Sequence, residues 1–180
     1  IAPFLHLPLQ SGCDSTLHRM ARPYTSGDFL ELVHDIRRSV PSVSLSCDII
    51  VGFPGETEEE FEESLETCRA AGFSRMHVFR YSKRPGTPAA AARDQVPPSV
   101  MARRSARMRA LASELALEDG RRRVGSVETC VLESGHAGTL ASFHHVEIDG
   151  PCELSAGSLA RVAIDEVDRD GVLHGHLCER

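Results

Sequence analysis

The chain has 180 residues, 41% of them hydrophobic and 26% charged, with 20 Lys and Arg against 26 Asp and Glu for a net charge of −6. That balance excludes an intrinsically disordered chain, a collagen-like repeat or a coiled-coil rod, and it argues against bulk coating of nucleic acid while leaving room for a local basic site. No apolar run approaches the about 20 residues needed to span a bilayer.

In chain order, Phe4-Leu5-His6-Leu7-Pro8-Leu9 reads as a strand already in progress three residues after Ile1, so a fragment or a processed chain is expected. A helix follows, N-capped by Thr25 or Ser26, with Phe29, Leu32, Val33, Ile36 and Val40 on one face and Pro41 after it. The run from Val43 to Val51 alternates with period two, putting Val43, Leu45, Cys47, Ile49 and Val51 on one face and Ser44, Ser46 and Asp48 on the other. Thr57-Glu58-Glu59-Glu60 opens a second helix as a capping box; it buries Phe61, Leu65 and Cys68, stops at Gly72, and carries its acidic run as a solvated face rather than a metal site. A third strand, Met76 to Tyr81, completes a βαβαβ rhythm, and a third helix runs from Pro98 to about Asp119 over Met101, Met108, Leu111 and Leu115.

Beyond Gly120 the helical period vanishes. Short β-like runs at Ser126–Leu132, Thr139–Ile148, Leu159–Val167 and Val172–Leu177 predict a small barrel of the OB or SH3 sort, with a domain boundary at Arg121–Gly125. Three parallel strands alone leave two open edges, so further strands upstream are expected.

Six cysteines, at positions 13, 47, 68, 130, 152 and 178, form no CxxC or CxxxC chelating pair. Scattered thiols of this kind fit the reducing cytoplasm. Cys47 and Cys68 read as small core residues, and Cys13 as a possible neighbour of an active site. His6 and His77 lie within strands and could face a barrel lumen, although a buried, satisfied histidine is the commoner outcome; no metal ligand is assigned, there or among His136, His144, His145, His174 and His176.

In a parallel α/β barrel the ligand sits at the carboxyl ends of the strands. Here the three strands exit into Gln10-Ser11-Gly12, into Gly52-Phe53-Pro54-Gly55-Glu56, and into Tyr81-Ser82-Lys83-Arg84-Pro85-Gly86. Glycines at an exit let a ligand approach the backbone, and Gln10, Ser11 and Asp48 offer hydrogen bonds to a polar small molecule such as a nucleoside or an amino acid. Taken alone, Gly-Phe-Pro-Gly is more simply a turn.

These loops carry a family resemblance. HLPLQSGCD, DIIVGFPGETEEEFEES, HVFRYSKRPGTPAA and DQVP, in this order and spacing, resemble the radical S-adenosylmethionine methylthiotransferases, and the small β domain resembles their C-terminal TRAM domain. The loops are most similar to the branch acting on threonylcarbamoyladenosine in tRNA; the alternatives are the isopentenyladenosine tRNA branch and the branch modifying an aspartate of a ribosomal protein. The implied fold is α/β, the C-terminal part of a partial (β/α)6 radical-SAM barrel over residues 1–120 followed by a small all-β, OB-like TRAM barrel over 121–180.

The implied activity is insertion of a methylthio group at C2 of a modified adenosine beside the anticodon. S-adenosyl-L-methionine and two [4Fe–4S] clusters are the implied cofactors, and tRNA and a reductase or flavodoxin-type electron donor the implied partners. The CxxxCxxC motif and the auxiliary cysteines that hold the family's clusters are absent from this sequence, so the chain by itself is expected to be inactive and to supply no catalytic residue. By position, Gln10, Ser11, Gly12, Asp48, Gly52, Phe53 and Gly55 match the family's cofactor-contacting exits.

From Arg69 to Arg123 there are 13 basic residues against four acidic ones, Asp94, Glu114, Glu118 and Asp119. Arg80, Lys83, Arg84, Arg103, Arg107, Arg121, Arg122 and Arg123 are therefore the candidate RNA contacts, the alternative being that they pair with the acidic face of Glu58 to Glu66. Val124 to Arg180 holds three basic and ten acidic residues, so the helix and linker are expected to contribute more phosphate contacts than the β domain. Two other classes stay open: a non-catalytic RNA-binding module, and a complete barrel hydrolase or lyase using His77 or Glu56 as base.

Overall fold

A computed structural model of the chain describes residues 2–150 and 154–178. Strands β1 (Phe4–His6), β2 (Ser44–Val51) and β3 (Arg75–Arg80) form a three-stranded sheet in the order β1-β2-β3. The β2–β3 pairing is parallel, with Asp48 opposite His77 and Ile50 opposite Phe79. Gln10 bridges Ile49 in parallel, which carries the first strand's path on past Pro8. The apolar face is buried as expected, with Leu45, Cys47, Ile49 and Val51 all at most 1% exposed; on the other face Asp48 and Ile50 are half-buried, but Ser44 and Ser46 are buried too, at 0% and 1%.

The helices between the strands start and stop where their chemistry dictates. Thr25 caps α2 (Ser26–Ser39) in a reciprocal box with Asp28, and Thr57 caps α3 (Glu58–Ala71) in the same way with Glu60. Gly72 ends α3 in the left-handed conformation, with φ 62°. Of the face expected for α2, Phe29 and Val33 are buried but Leu32 and Val40 are exposed, because the helix lays only a narrow stripe on the core. Two short helices, α1 (Asp14–Arg19) and α4 (Pro88–Ala91), had no clear apolar period to announce them.

Helix α5 runs from Pro98 to Arg123, past the expected stop at Asp119, so the expected linker shrinks to the few residues before β4, among them Gly125 at φ 84°. The chain divides into two compact units: one comprises His6–Pro41 and Leu45–Leu115, the other Ile1–Leu5, Ser42–Ser44 and Ala116–Arg180. The division thus falls inside α5, ahead of the boundary expected from composition.

In the second unit, β4 (Val127–Ser134), β5 (Ala137–Leu140), β6 (His145–Asp149), β7 (Leu159–Val167) and β8 (Leu173–Leu177) close a barrel in the order β4-β5-β6-β8-β7. Only the β6–β8 pairing is parallel. This is the OB sort of five-stranded barrel, of the two types expected. The single run expected over 139–148 is two strands, split by a turn in which Phe143 takes φ 64° and Leu140 N–H donates to the His144 carbonyl at 2.9 Å. Cys130, Leu132, Leu140, Val146, Ile148, Val162, Ile164 and Leu173 fill the interior.

A buried ionic group sits at the root of this unit. Asp119, 6% exposed, lies 3.1 Å from Arg123 Nε, 2.9 Å from Arg122 Nη2 and 3.1 Å from His144 Nε2. Burial would raise its pKa, but the His144 contact and the Arg123 and Arg122 guanidinium groups together outweigh it and hold the carboxyl well below the ordinary range. A folded-state value below the unfolded one, about 3.9, means that this stabilisation is complete above the unfolded pKa and drains away as pH falls through about 4 towards the folded value. Asp119→Asn is therefore expected to melt below the parent at neutral pH, with the gap closing on acidification. Melting curves at pH 7 and pH 3 check this, and a gap of constant size would refute it.

Candidate functional site

The three strands leave the first unit's sheet at one end. Gln10 N–H donates to the Asp48 carbonyl at 2.8 Å, Ile50 N–H to the Gln10 carbonyl at 2.9 Å, and Tyr81 N–H to the Val51 carbonyl at 2.9 Å. The three exit segments are thus brought together as the sequence predicts. Gln10 holds φ 68°, a conformation that costs a non-glycine residue roughly 1–2 kcal/mol and clusters at functional sites. Phe53 and Tyr81 meet edge to face, with ring centroids 5.2 Å apart. The Tyr81 hydroxyl is buried with no hydrogen-bond partner among the described residues. An unsatisfied buried donor is rare, and at this place it fits a polar ligand.

Other candidate cofactor residues serve the protein instead. Ser11 is 1% exposed and shares a hydrogen bond with Ser64 Oγ at 3.2 Å. Gly12 N–H donates to Ser64 Oγ at 3.1 Å, and the Gly12 carbonyl accepts from Thr67 Oγ1 at 2.8 Å. Both residues therefore clamp the first exit onto α3 and do not face a ligand. Gly52, at φ 75°, gives its N–H to Glu56 Oε2 at 2.7 Å, and a Cβ there would overlap Met101. Gly55 N–H goes to the Asp94 carbonyl at 2.9 Å. The Gly52 and Gly55 amides are thus already bonded within the protein.

Glu56 is the pivot of that turn. It is 5% exposed and accepts from Gly52 N–H and from Arg104 Nη1, the latter at 2.7 Å; Arg104 Nη1 also donates to the Glu56 carbonyl at 2.9 Å. Burial raises the Glu56 pKa and prevails over the opposing pull of the Gly52 amide and the Arg104 charge. A carboxyl enclosed in this way is a strut, so the reading of Glu56 as a hydrolase base does not survive.

One layer inside the exits, Asp48 turns its carboxylate to His6, with Nε2 at 3.4 Å from Oδ2. His77, opposite Asp48 on β3, lies with its ring centroid 5.9 Å from that of His6. Both histidines are exposed rather than buried, although His6 has Ser46 Oγ at 2.8 Å and Asp48 Oδ2 at 3.4 Å as partners. Sequence reasoning missed the grouping of the three side chains, because it depends on the register between strands; the period-two alternation of β2 was the one available signal.

The basic residues divide sharply. Arg103 and Arg107 reach Glu58, at 3.4 and 2.9 Å, and Arg107 also reaches Glu62 at 2.7 Å. The acidic face of α3 is thus an ion-pair partner of α5, the alternative reading of these arginines, rather than a solvated face only, and Glu60 likewise pairs with Arg19. Arg122 is held by Asp119, and Arg123, 7% exposed, bonds Asp119, Glu128 and Ser44 Oγ. Arg123 is therefore a buried anchor and not an RNA contact. Arg80, Lys83, Arg84 and Arg121 are exposed, and no carboxylate among the described residues pairs with them.

The cysteines do not fit an iron–sulfur cluster. Cys13, Cys47, Cys68 and Cys130 are buried, no group of three or more metal-ligating side chains among the described residues includes a cysteine, and burial pushes the Cys68 thiol up to about 12, far from the thiolate a cluster needs. Cys152 lies outside the described residues. No described helix is long and apolar enough to cross a membrane.

Residues 2–68 match the family described as the Radical SAM superfamily. The chain is 44% identical over 151 residues to the tRNA-2-methylthio-N(6)-dimethylallyladenosine synthase of Acidothermus cellulolyticus, covering 84% of this chain and 30% of that protein. It is 44% identical over 176 residues to the synthase of the same name from Nocardioides sp., covering 91% and 36%, and 48% identical over 139 residues to that of Clavibacter michiganensis, covering 77% and 26%. The chain thus spans about a third of the length of these relatives. Among solved structures, coproporphyrinogen III oxidase from Escherichia coli, described as a radical SAM enzyme, is similar in fold, with a TM-score of 0.51 at 18% identity over 68% of this chain and 28% of that one.

Proposed function

From the premise that residues 2–68 are a Radical SAM superfamily segment of a chain homologous to tRNA methylthiotransferases, we propose that the whole protein inserts a methylthio group at C2 of an N6-modified adenosine in tRNA. The relatives' shared name favours dimethylallyladenosine, the isopentenyl alternative, over the threonylcarbamoyladenosine that the loops led us to expect. That expectation is accordingly not carried forward.

The observation that carries the proposal is the convergence of the three exits, with strained Gln10, the Phe53–Tyr81 pair and the orphaned Tyr81 hydroxyl at one end of the sheet. S-adenosyl-L-methionine, when bound, supplies the radical and the methyl group. This chain's part is to hold the nucleoside end of that cofactor: Gln10 and Tyr81 offer hydrogen bonds, and Phe53 offers an aromatic face that excludes water. Ser11, Gly12, Gly52 and Glu56 keep these groups in place from behind. The iron–sulfur clusters would take their ligands from outside the described cysteines. The β barrel, proposed as a TRAM-like module, stands as an accessory to this chemistry.

Mass spectrometry of tRNA from a strain lacking the gene tests this. The expected result is loss of the methylthio group from dimethylallyladenosine, restored by the full-length gene. Loss from threonylcarbamoyladenosine instead would keep the chemistry but reverse the substrate, and loss from neither would overturn the proposal.

A further inference from the structure

Below the strand exits, the face of the sheet presents one chemistry-bearing side chain from each strand: His6 from β1, Asp48 from β2 and His77 from β3. Their nitrogen and oxygen donor atoms all lie within 4.8 Å of one another. We propose that these three residues bind a first-row divalent cation, zinc in the first place, through two imidazoles and one carboxylate.

Four features carry the assignment. Ligands about 2.0–2.1 Å from a tetrahedral zinc stand roughly 3.3–3.4 Å from each other, and His6 Nε2 and Asp48 Oδ2 are already 3.4 Å apart. His77 is the ligand that must move, and an exposed side chain at a strand surface can do so by rotation about its own χ angles. The His6 and His77 rings are tilted by 56° rather than stacked face to face, with centroids 5.9 Å apart. Finally, Ser46, two residues before Asp48 and 1% exposed, holds His6 Nδ1 at 2.8 Å from its hydroxyl. A metal-bound histidine characteristically has its second nitrogen fixed by such a partner, which orients the first.

The donor set names the ligand class. Two neutral imidazoles and one carboxylate suit zinc or a neighbouring first-row ion, and the absence of a thiolate from the group sets it apart from a cluster site. Three protein ligands leave the fourth position of a tetrahedral ion to water or to a small ligand, which is the arrangement of a reactive rather than a purely structural zinc site. The inference does not depend on the sulfur-insertion proposal, and tRNA analysis does not read it.

The test is titration of the metal-free full chain with cobalt(II), followed by displacement with zinc(II). One cobalt per chain is expected, with the intense visible d–d bands of a four- or five-coordinate ion. His6→Ala, Asp48→Asn and His77→Ala should each weaken binding at least tenfold, while Ser46→Ala, which removes no ligand, should weaken it by about ten- to a hundredfold. His176→Ala and Cys178→Ser should leave binding unchanged. Thermal unfolding of each variant without metal shows whether it has folded, and the near-isosteric Asp48→Asn decides the matter if an alanine variant has not. A pale octahedral spectrum indifferent to these substitutions, or bands lost only in Cys178→Ser, would overturn the site.

Discussion

Replacing Arg104 with alanine is expected to destabilise the first unit by about 3–5 kcal/mol, the cost of removing one partner from a buried ion pair. The side chains of Arg104 and Glu56 are 5% and 1% exposed, so solvent screens little of their interaction. Arg104 makes a charge-assisted bond to the Glu56 carboxylate at 2.7 Å and donates to the Glu56 carbonyl at 2.9 Å and to Glu58 Oε2 at 3.1 Å. It also lies over the Phe61 ring, 5.5 Å from its centroid. Without it, Glu56 keeps only the Gly52 amide as a partner, inside a site that already disfavours its charge.

The pH dependence gives the prediction a sign. The Glu56 pKa is raised on folding, and losing Arg104 raises it further. A folded state that holds the proton more tightly gains stability as pH falls, so the deficit of Arg104→Ala relative to the parent should narrow on acidification. Urea unfolding at neutral and mildly acidic pH measures both effects. A loss below about 1 kcal/mol, the range of an exposed pair, would show that the turn after β2 does not hang on this contact. Arg104→Lys should recover only part of the loss, because an ammonium cannot reach the carbonyl and both carboxylates at once.

Charge reversal of Arg80, Lys83 and Arg84 together is expected to weaken tRNA binding by the full-length protein on the order of 100-fold at 0.1 M salt, and to reduce the slope of log affinity against log salt by about 2–3. Of these three exposed residues Arg80 ends β3 and Lys83 and Arg84 follow it, and no described carboxylate competes for them. Phosphate contacts should be concentrated there, since each free cation releases counterions that a paired one does not. Arg103→Glu with Arg107→Glu makes the contrast. Those side chains already serve Glu58 and Glu62, so their reversal should lower the melting temperature while leaving the salt slope nearly intact. Equal slopes for the two variants would return the RNA contacts to α5.

How much of this was legible in the residues can be read from particular places. The capping boxes at Thr25 and Thr57, the Gly72 stop and the buried alternation of β2 all express interactions between residues at most four apart. Their physics is local, and the sequence carries it openly. The motif loops also sit together at one end of the sheet, because parallel strands with helical crossovers place successive exits on the same side.

What each loop residue does there is a different matter. Ser11 and Gly12 read as ligand contacts until α3 is packed against them, and Glu56 reads as a free acid until Arg104, 48 residues further on, holds it. Arg103, Arg107 and Arg123 read as a basic belt until their carboxylates arrive from segments far away along the chain or from the next strand. Composition and periodicity thus settled on their own the longer helices, the strands of the sheet and the order of the strand exits, but not α1, α4, the turn within 139–148 or the full buried face of α2. Only the tertiary structure decided which polar groups are already satisfied and which, like the Tyr81 hydroxyl, have no partner among the described residues. A hydrogen bond or ion pair between distant residues is set by register and packing, and neither leaves a mark in the spacing of a single sequence.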